Sequence, residues 1–140
     1  MKLILNKKYN PLFSSDARYF IITGGRGSGK SFAVTVFLTL LTMTKGIRIL
    51  FTRFTMTSAH LSIIPEFLEK IGLLGFDEVF SINKAEVVNT SNQSDILFRG
   101  IRTSAGNQTA SLKSLQGIST WVLDEAEELV DENIFDTIDL

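Results

Sequence analysis

The chain has no cysteine and only one histidine, His60. Without thiols it forms neither disulfides nor thiolate metal sites, and a lone imidazole does not make a metal centre. His60 is therefore expected at the surface or in a helix cap. An excess of one charge is missing too: fourteen Lys and Arg against fifteen Asp and Glu leave a formal net charge of −1. There is no global basic field, so any contact with nucleic acid has to come from a local patch or from other parts of the protein. No run of about 18 apolar residues occurs, and the apolar start at residues 1–5 meets Asn6-Lys7-Lys8 too soon for a secretory signal. These absences set the expectation of a cytoplasmic protein without membrane contact. Repeats, low-complexity tracts and interdomain linkers are absent as well. What is present is 140 residues, 44 % hydrophobic with eleven Phe, enough to fill one core.

The strongest pattern is Gly24-Gly25-Arg26-Gly27-Ser28-Gly29-Lys30-Ser31, which fits G-x-x-x-x-G-K-[ST] without a mismatch. Glycines let successive backbone N–H groups converge on phosphate oxygens, and a helix starting at the last glycine adds its positive end. On this reading the chain binds ATP with Mg²⁺, residues 24–31 cradling the phosphates, Lys30 reaching the β- and γ-phosphates and Ser31 holding the metal. The flanks suit it: Arg18-Tyr19-Phe20-Ile21-Ile22-Thr23 reads as a short strand, and Phe32 to Met43 as an apolar helix. A dinucleotide fingerprint is the rival, but Lys30 stands where its third glycine belongs. Arg26 either neutralises charge at the γ-phosphate or is a solvent-facing loop charge.

Elsewhere the reading is coarser. Residues 1–17 form an irregular lead-in, in which Tyr9 and Phe13 either stack on adenine or cover the sheet edge. Ile47 to Arg53 alternates toward a strand, so residues 18–53 are expected as a βαβ unit with parallel strands and the nucleotide at their carboxyl ends. Thr57 or Ser58 caps a helix to about Ile71, with Leu61, Ile64, Leu68 and Ile71 as its buried stripe and Pro65 as a kink. Residues 78–100 read as a small antiparallel insertion with a hairpin tip at Thr90–Ser94. The polar stretch Gly100 to Gly117, with Arg99, Arg102 and Lys113 along it, lies near the nucleotide face or is an ordinary solvated loop.

The second strong signal is Thr120-Trp121-Val122-Leu123-Asp124-Glu125, an apolar strand ending in two carboxylates within residues 118–125. Asp124 at the strand tip suits the Mg²⁺ shell, and Glu125, pointing differently, suits an attacking water. Lys30, Glu125 and Arg26 are thus the candidate catalytic residues. Glu127 and Glu128 read as solvated helix charges.

Taken together, the loop GGRGSGKS after an aromatic segment, the approach Asn107 to Gly117 and the run Trp121 to Leu129 resemble the amino-terminal ATPase of the large terminase subunit of tailed phages and prophages. The resemblance spans about Asn10 to Phe135. It implies an α/β phosphate-loop NTPase fold of the ASCE type, a mostly parallel sheet with a small antiparallel insertion. It also implies ATP-driven packaging of double-stranded DNA into a procapsid, with residues 24–31 as Walker A, Asp124 for Mg²⁺ and Glu125 as general base. The implied partners are double-stranded DNA, the portal protein, a small terminase subunit and further copies in a ring, in the host cytoplasm and transiently at the portal vertex. Only fifteen residues follow Glu125. The expectation is therefore a truncated ATPase domain over residues 1–140, without the nuclease domain and without the strand that such folds place between the Walker A and Walker B strands.

Overall fold

A computed structural model of the protein describes residues 3–56, 59–103, 106–107 and 109–139. A 3-10 turn at Lys7–Tyr9 and a short helix α1 (Pro11–Ser14) precede the glycine loop. Helix α2 (Lys30–Leu41) starts directly after Gly29, whose φ of 80° is a left-handed value that glycine adopts without penalty. Strand β1 (Arg48–Thr55) and helix α3 (Ala59–Leu73) follow. Three strands come next: β2 (Phe80–Ile82), β3 (Glu86–Asn89) and β4 (Asp95–Thr103). The chain continues through β5 (Gly106–Asn107), α4 (Thr109–Lys113), β6 (Thr120–Leu123), a 3-10 turn at Ala126–Glu128 and α5 (Glu132–Ile138).

The fold is α/β, and its sheet is mixed. The strands run in the order β2-β3-β4-β1-β6, with β5 added on β4. β1 is parallel to both of its neighbours, β4 and β6, whereas β2, β3 and β5 join antiparallel. Alternation along β1 sorts the core into two layers. Ile49 and Phe51 face α2 and α3, packing with Leu38, Ile63, Phe67, Ile71, Ile96 and Phe98. Leu50 turns the other way, toward Leu97, Ile101, Leu112 and Ile138 under α4 and α5. Phe51, Phe67 and Phe98 form an aromatic triangle with centroid separations of 5.3 to 6.0 Å.

The carboxyl end of α2 is held by the β3–β4 turn. Asn89 Nδ2 donates to the Thr42 carbonyl at 3.1 Å, and Asn92 Nδ2 to those of Thr42 and Met43 at 2.9 and 3.1 Å. Ser94 Oγ donates to the Thr44 carbonyl at 2.6 Å. Side chains thus satisfy carbonyls that a helix end leaves without partners. Gln93, at φ 64°, makes the turn.

Three expectations change. Arg18–Thr23 is not a strand among the described residues: it enters no ladder, and Ile21 is 91 % exposed. Its β-branched and aromatic composition is a propensity only, and a strand needs a neighbour to take its backbone groups. The segment 78–100 is not wholly an insertion, because β4 is the parallel partner of β1 and belongs to the core of the sheet. Within that segment, β2 and β3 form the antiparallel edge. In α3 the buried stripe is Ile63, Ile64, Phe67, Lys70 and Ile71, while Leu61 and Leu68 are exposed. The helix runs through Pro65 unbroken. The expected caps Thr57 and Ser58 lie outside the described residues, as does the side chain of His60.

Candidate functional site

The glycine loop is built from backbone that L side chains avoid. Gly24, Gly27 and Gly29 have φ of 151°, 72° and 80°, and a Cβ added at Gly24 would meet Ser28 Oγ at 3.0 Å. The loop leads with its backbone rather than with bulk. Lys30 folds back over it: its ammonium donates to the carbonyls of Gly24 and Gly25 and to Ser28 Oγ. These are neutral acceptors, which an anion of higher charge would displace. From outside, Tyr9 Oη and Lys8 Nζ both donate to the Ser28 carbonyl, at 2.9 and 3.1 Å. Tyr9 is buried against Leu12 and Ala33, so its ring packs beneath the loop and covers the start of α2. Phe13 is exposed and stacks edge-on against Phe37 at 5.2 Å. Arg26 is exposed at the turn of the loop, and Ser31 is exposed in the first turn of α2.

The acidic pair stands at the carboxyl end of β6. Its strand is registered by Thr52, which donates through Oγ1 to the Val122 carbonyl at 2.9 Å and accepts from Trp121 Nε1 at 2.9 Å. Asp124 N continues the ladder, donating to the Thr52 carbonyl at 2.9 Å. Glu125 then turns the chain with φ 54° and ψ 47°, a left-handed conformation costing a non-glycine residue about 1–2 kcal/mol. The chain goes on into a 3-10 turn rather than the expected helix. Arg53, at the carboxyl end of β1, meets both carboxylates. Its Nε and Nη2 each lie 2.7 Å from Asp124 Oδ2, and Nε lies 3.9 Å from Glu125 Oε2.

The helix that the loop opens and the acidic pair belong to the same face of the sheet. The carboxyl end of α2 is fixed beside the amino end of β1, where Ile47 N donates to Ser94 Oγ. Because α2 packs on the Ile49 and Phe51 face, its amino end, and the loop with it, points toward the carboxyl ends of β1 and β6. Alternation puts Arg53 on the Ile49 and Phe51 face, and Asp124 on the face of Val122, which packs in the same layer. That is the face α2 covers.

Of the residues singled out from sequence, Gly24, Gly25, Ser28 and Lys30 are in mutual contact, and Asp124 and Glu125 meet through Arg53. Arg99 turns its guanidinium onto the carbonyls of Ala85 and Phe98, and Arg102 and Lys113 are exposed. Arg53 was not foreseen as a site residue. Its signal was its place at the end of an alternating apolar strand, where a buried face meets solvent. Among the described residues no group of three His, Cys, Asp or Glu is arranged to hold a metal.

An α/β fold with a mixed sheet whose core strands are parallel, a glycine loop opening a helix and a carboxylate pair at a strand end places the chain among α/β proteins. The family model described as phage terminase large subunit matches residues 16–139, nearly the whole length, and the chain belongs to that family. A search of curated proteins gives no match. No helix among the described residues is long and apolar enough to cross a membrane.

Proposed function

We propose that this chain is the ATP-hydrolysing motor portion of a phage DNA-packaging terminase, with the phosphate-loop NTPase fold, acting on double-stranded DNA in the host cytoplasm. What supports it is the family match over residues 16–139 together with a glycine loop that opens α2 and an Asp124–Glu125 pair that ends β6. The residues suit ATP with Mg²⁺. A Cβ at Gly24 would crowd the Ser28 hydroxyl, so glycine suits the close-wound backbone that a phosphate cradle uses, and the Ser31 hydroxyl and Asp124 carboxylate are hard oxygen ligands of the kind Mg²⁺ takes. When bound, Mg²⁺ supplies charge neutralisation at the phosphate oxygens. In this reading Lys30 exchanges its loop carbonyls for the β- and γ-phosphates, and Arg26, free of the fold, turns onto the charge that develops there. Glu125 accepts a proton from the attacking water. Asp124 takes the hydrogen bond from Arg53 while Glu125 lies 3.9 Å from it, which leaves the Glu125 carboxylate the freer of the two to accept that proton. Portal protein, a small terminase subunit and further copies in a ring are the partners this function requires.

The test is binding of a fluorescent ATP analogue and release of phosphate, with and without double-stranded DNA, for the wild-type chain, Lys30→Ala and Glu125→Gln. Lost binding in Lys30→Ala, with retained binding but lost turnover in Glu125→Gln, is the expected pattern. A second reading, a nucleotide-binding module without turnover, draws on Arg18–Thr23 lying outside the sheet, held by side-chain bonds to Asp139 rather than by a ladder. Binding abolished by Lys30→Ala, with no phosphate released by any form, would favour that reading.

A further inference from the structure

Arg53 does something the nucleotide reading does not use. A guanidinium stays charged at any ordinary pH, and here it occupies the position between two carboxylates that a cation would otherwise take. Both of its contacting nitrogens converge on one oxygen, Asp124 Oδ2, at 2.7 Å, while Glu125 Oε2 waits at 3.9 Å, within ion-pair range but beyond a hydrogen bond. The backbone beneath it is held by β4 at the Arg53–Gly100 register and, one residue earlier, by Asp124 N donating to the Thr52 carbonyl. The side chain is the part left to move. Its partial burial, 23 % exposed, keeps it near the carboxylates and weakens screening by water.

We infer that Arg53 is a positioning residue that competes with the divalent cation for Asp124 and, once displaced, pairs with Glu125. The inference rests on the proposed nucleotide function and adds a regulatory step to it. An Asp124 carboxylate directed at a cation gives up its guanidinium, and the carboxylate next in reach is Glu125. Arg53 thereby links cation arrival to the orientation of the group meant to handle water. The register of β1 and β6 is secured by the ladder and by Thr52 without the pair.

The experiment is a Mg²⁺ titration of fluorescent-ATP binding to the full 140-residue chain, for wild type, Arg53→Gln and Arg53→Lys, with circular dichroism as the folding control. Removing the competing charge should lower the half-saturating Mg²⁺ concentration about fivefold in Arg53→Gln, the scale of a partly exposed ion pair, while lowering turnover. Arg53→Lys, a point charge able to serve one carboxylate at a time, should fall between. An unchanged or raised Mg²⁺ midpoint in a folded Arg53→Gln overturns the inference. If that variant does not fold, Arg53→Lys decides by the same criterion. Wild-type chain that binds no nucleotide at any Mg²⁺ concentration overturns the proposed function, and this inference with it; normal binding with an insensitive midpoint overturns this inference alone.

Discussion

Removing the tyrosine hydroxyl beneath the glycine loop should loosen the loop without disturbing the core. Tyr9→Phe keeps the ring against Leu12 and Ala33 and deletes only the donor to the Ser28 carbonyl at 2.9 Å. A neutral hydrogen bond of this kind contributes about 0.5–1.5 kcal/mol net. The second donor, Lys8 Nζ at 3.1 Å, is exposed and contributes about 0.2–1 kcal/mol by itself. The two donors share an acceptor and touch each other, the ammonium lying 4.9 Å from the Tyr9 ring centroid, so their effects should couple. Either single deletion leaves the carbonyl served by the other donor. The double deletion leaves it to water, and the loop loses about 2 kcal/mol of its preference for the observed shape. Apparent affinity falls with the fraction of molecules in the competent shape, so the nucleotide Kd should rise up to about fivefold in Tyr9→Phe and up to about thirtyfold in Lys8→Ala/Tyr9→Phe. Fluorescence titration of the four proteins, with melting curves alongside, measures both terms. Wild-type affinity in the double variant, at unchanged melting temperature, would refute the claim that these side chains hold the loop.

Phe67, fully buried in the aromatic triangle, should be the costliest single truncation: Phe67→Ala is expected to lose about 3–5 kcal/mol in urea unfolding, and a loss under about 1 kcal/mol would contradict the packing. At Glu125 the usual ranking of small residues should invert. Glu125→Gly should be more stable than Glu125→Ala by about 0.5–1 kcal/mol, because glycine accepts the left-handed backbone that alanine strains, and equal stabilities would mean the turn relaxes. Tyr19 donates to Asp139 Oδ2 at 2.7 Å, and this bond, with the nearby carboxylates, raises its phenol above the ordinary value near 10. The protonated form is the one the folded state favours, so this contribution is complete below the ordinary value and is lost as pH climbs through the raised one. In a Tyr9→Phe background, ultraviolet titration should show a midpoint above the ordinary value that drops in Asp139→Ala; a midpoint that ignores the substitution would disprove the link.

The residues of the loop, the start of α2 at Lys30 and the strand leading to Asp124 were legible because glycine spacing and alternating apolar runs are local properties. The hairpin at Thr90–Ser94 was legible for the same reason. Pairing is not local, and there the reading failed. Arg18–Thr23 has the composition of a strand and no partner, while Asp95–Thr103 looks like one arm of a hairpin and is also the parallel neighbour of β1. In α3, Leu61 and Leu68 repeat at helical spacing as well as Ile64 and Ile71 do, but the facing surface of Phe51 and Phe98 selects the stripe centred on Phe67. Arg53 was hidden for a related reason: its partner is 71 residues away, and only the register of β1 against β6 sets them side by side.

Helix α2 is tethered at both ends. Its amino end emerges from the loop, whose Ser28 carbonyl is pinned by Lys8 and Tyr9, and just past its carboxyl end the chain is stitched to Asn89, Asn92 and Ser94. Twelve residues at about 1.5 Å rise make a strut of about 18 Å between the two anchorages. A shift of the loop along that axis cannot be absorbed by slack: it pulls on the side-chain amides of the β3–β4 turn or breaks them free. The β3–β4 turn is therefore mechanically in line with the glycine loop, and amide exchange at Asn89, Asn92 and Ser94 is a gauge of what happens at Lys30.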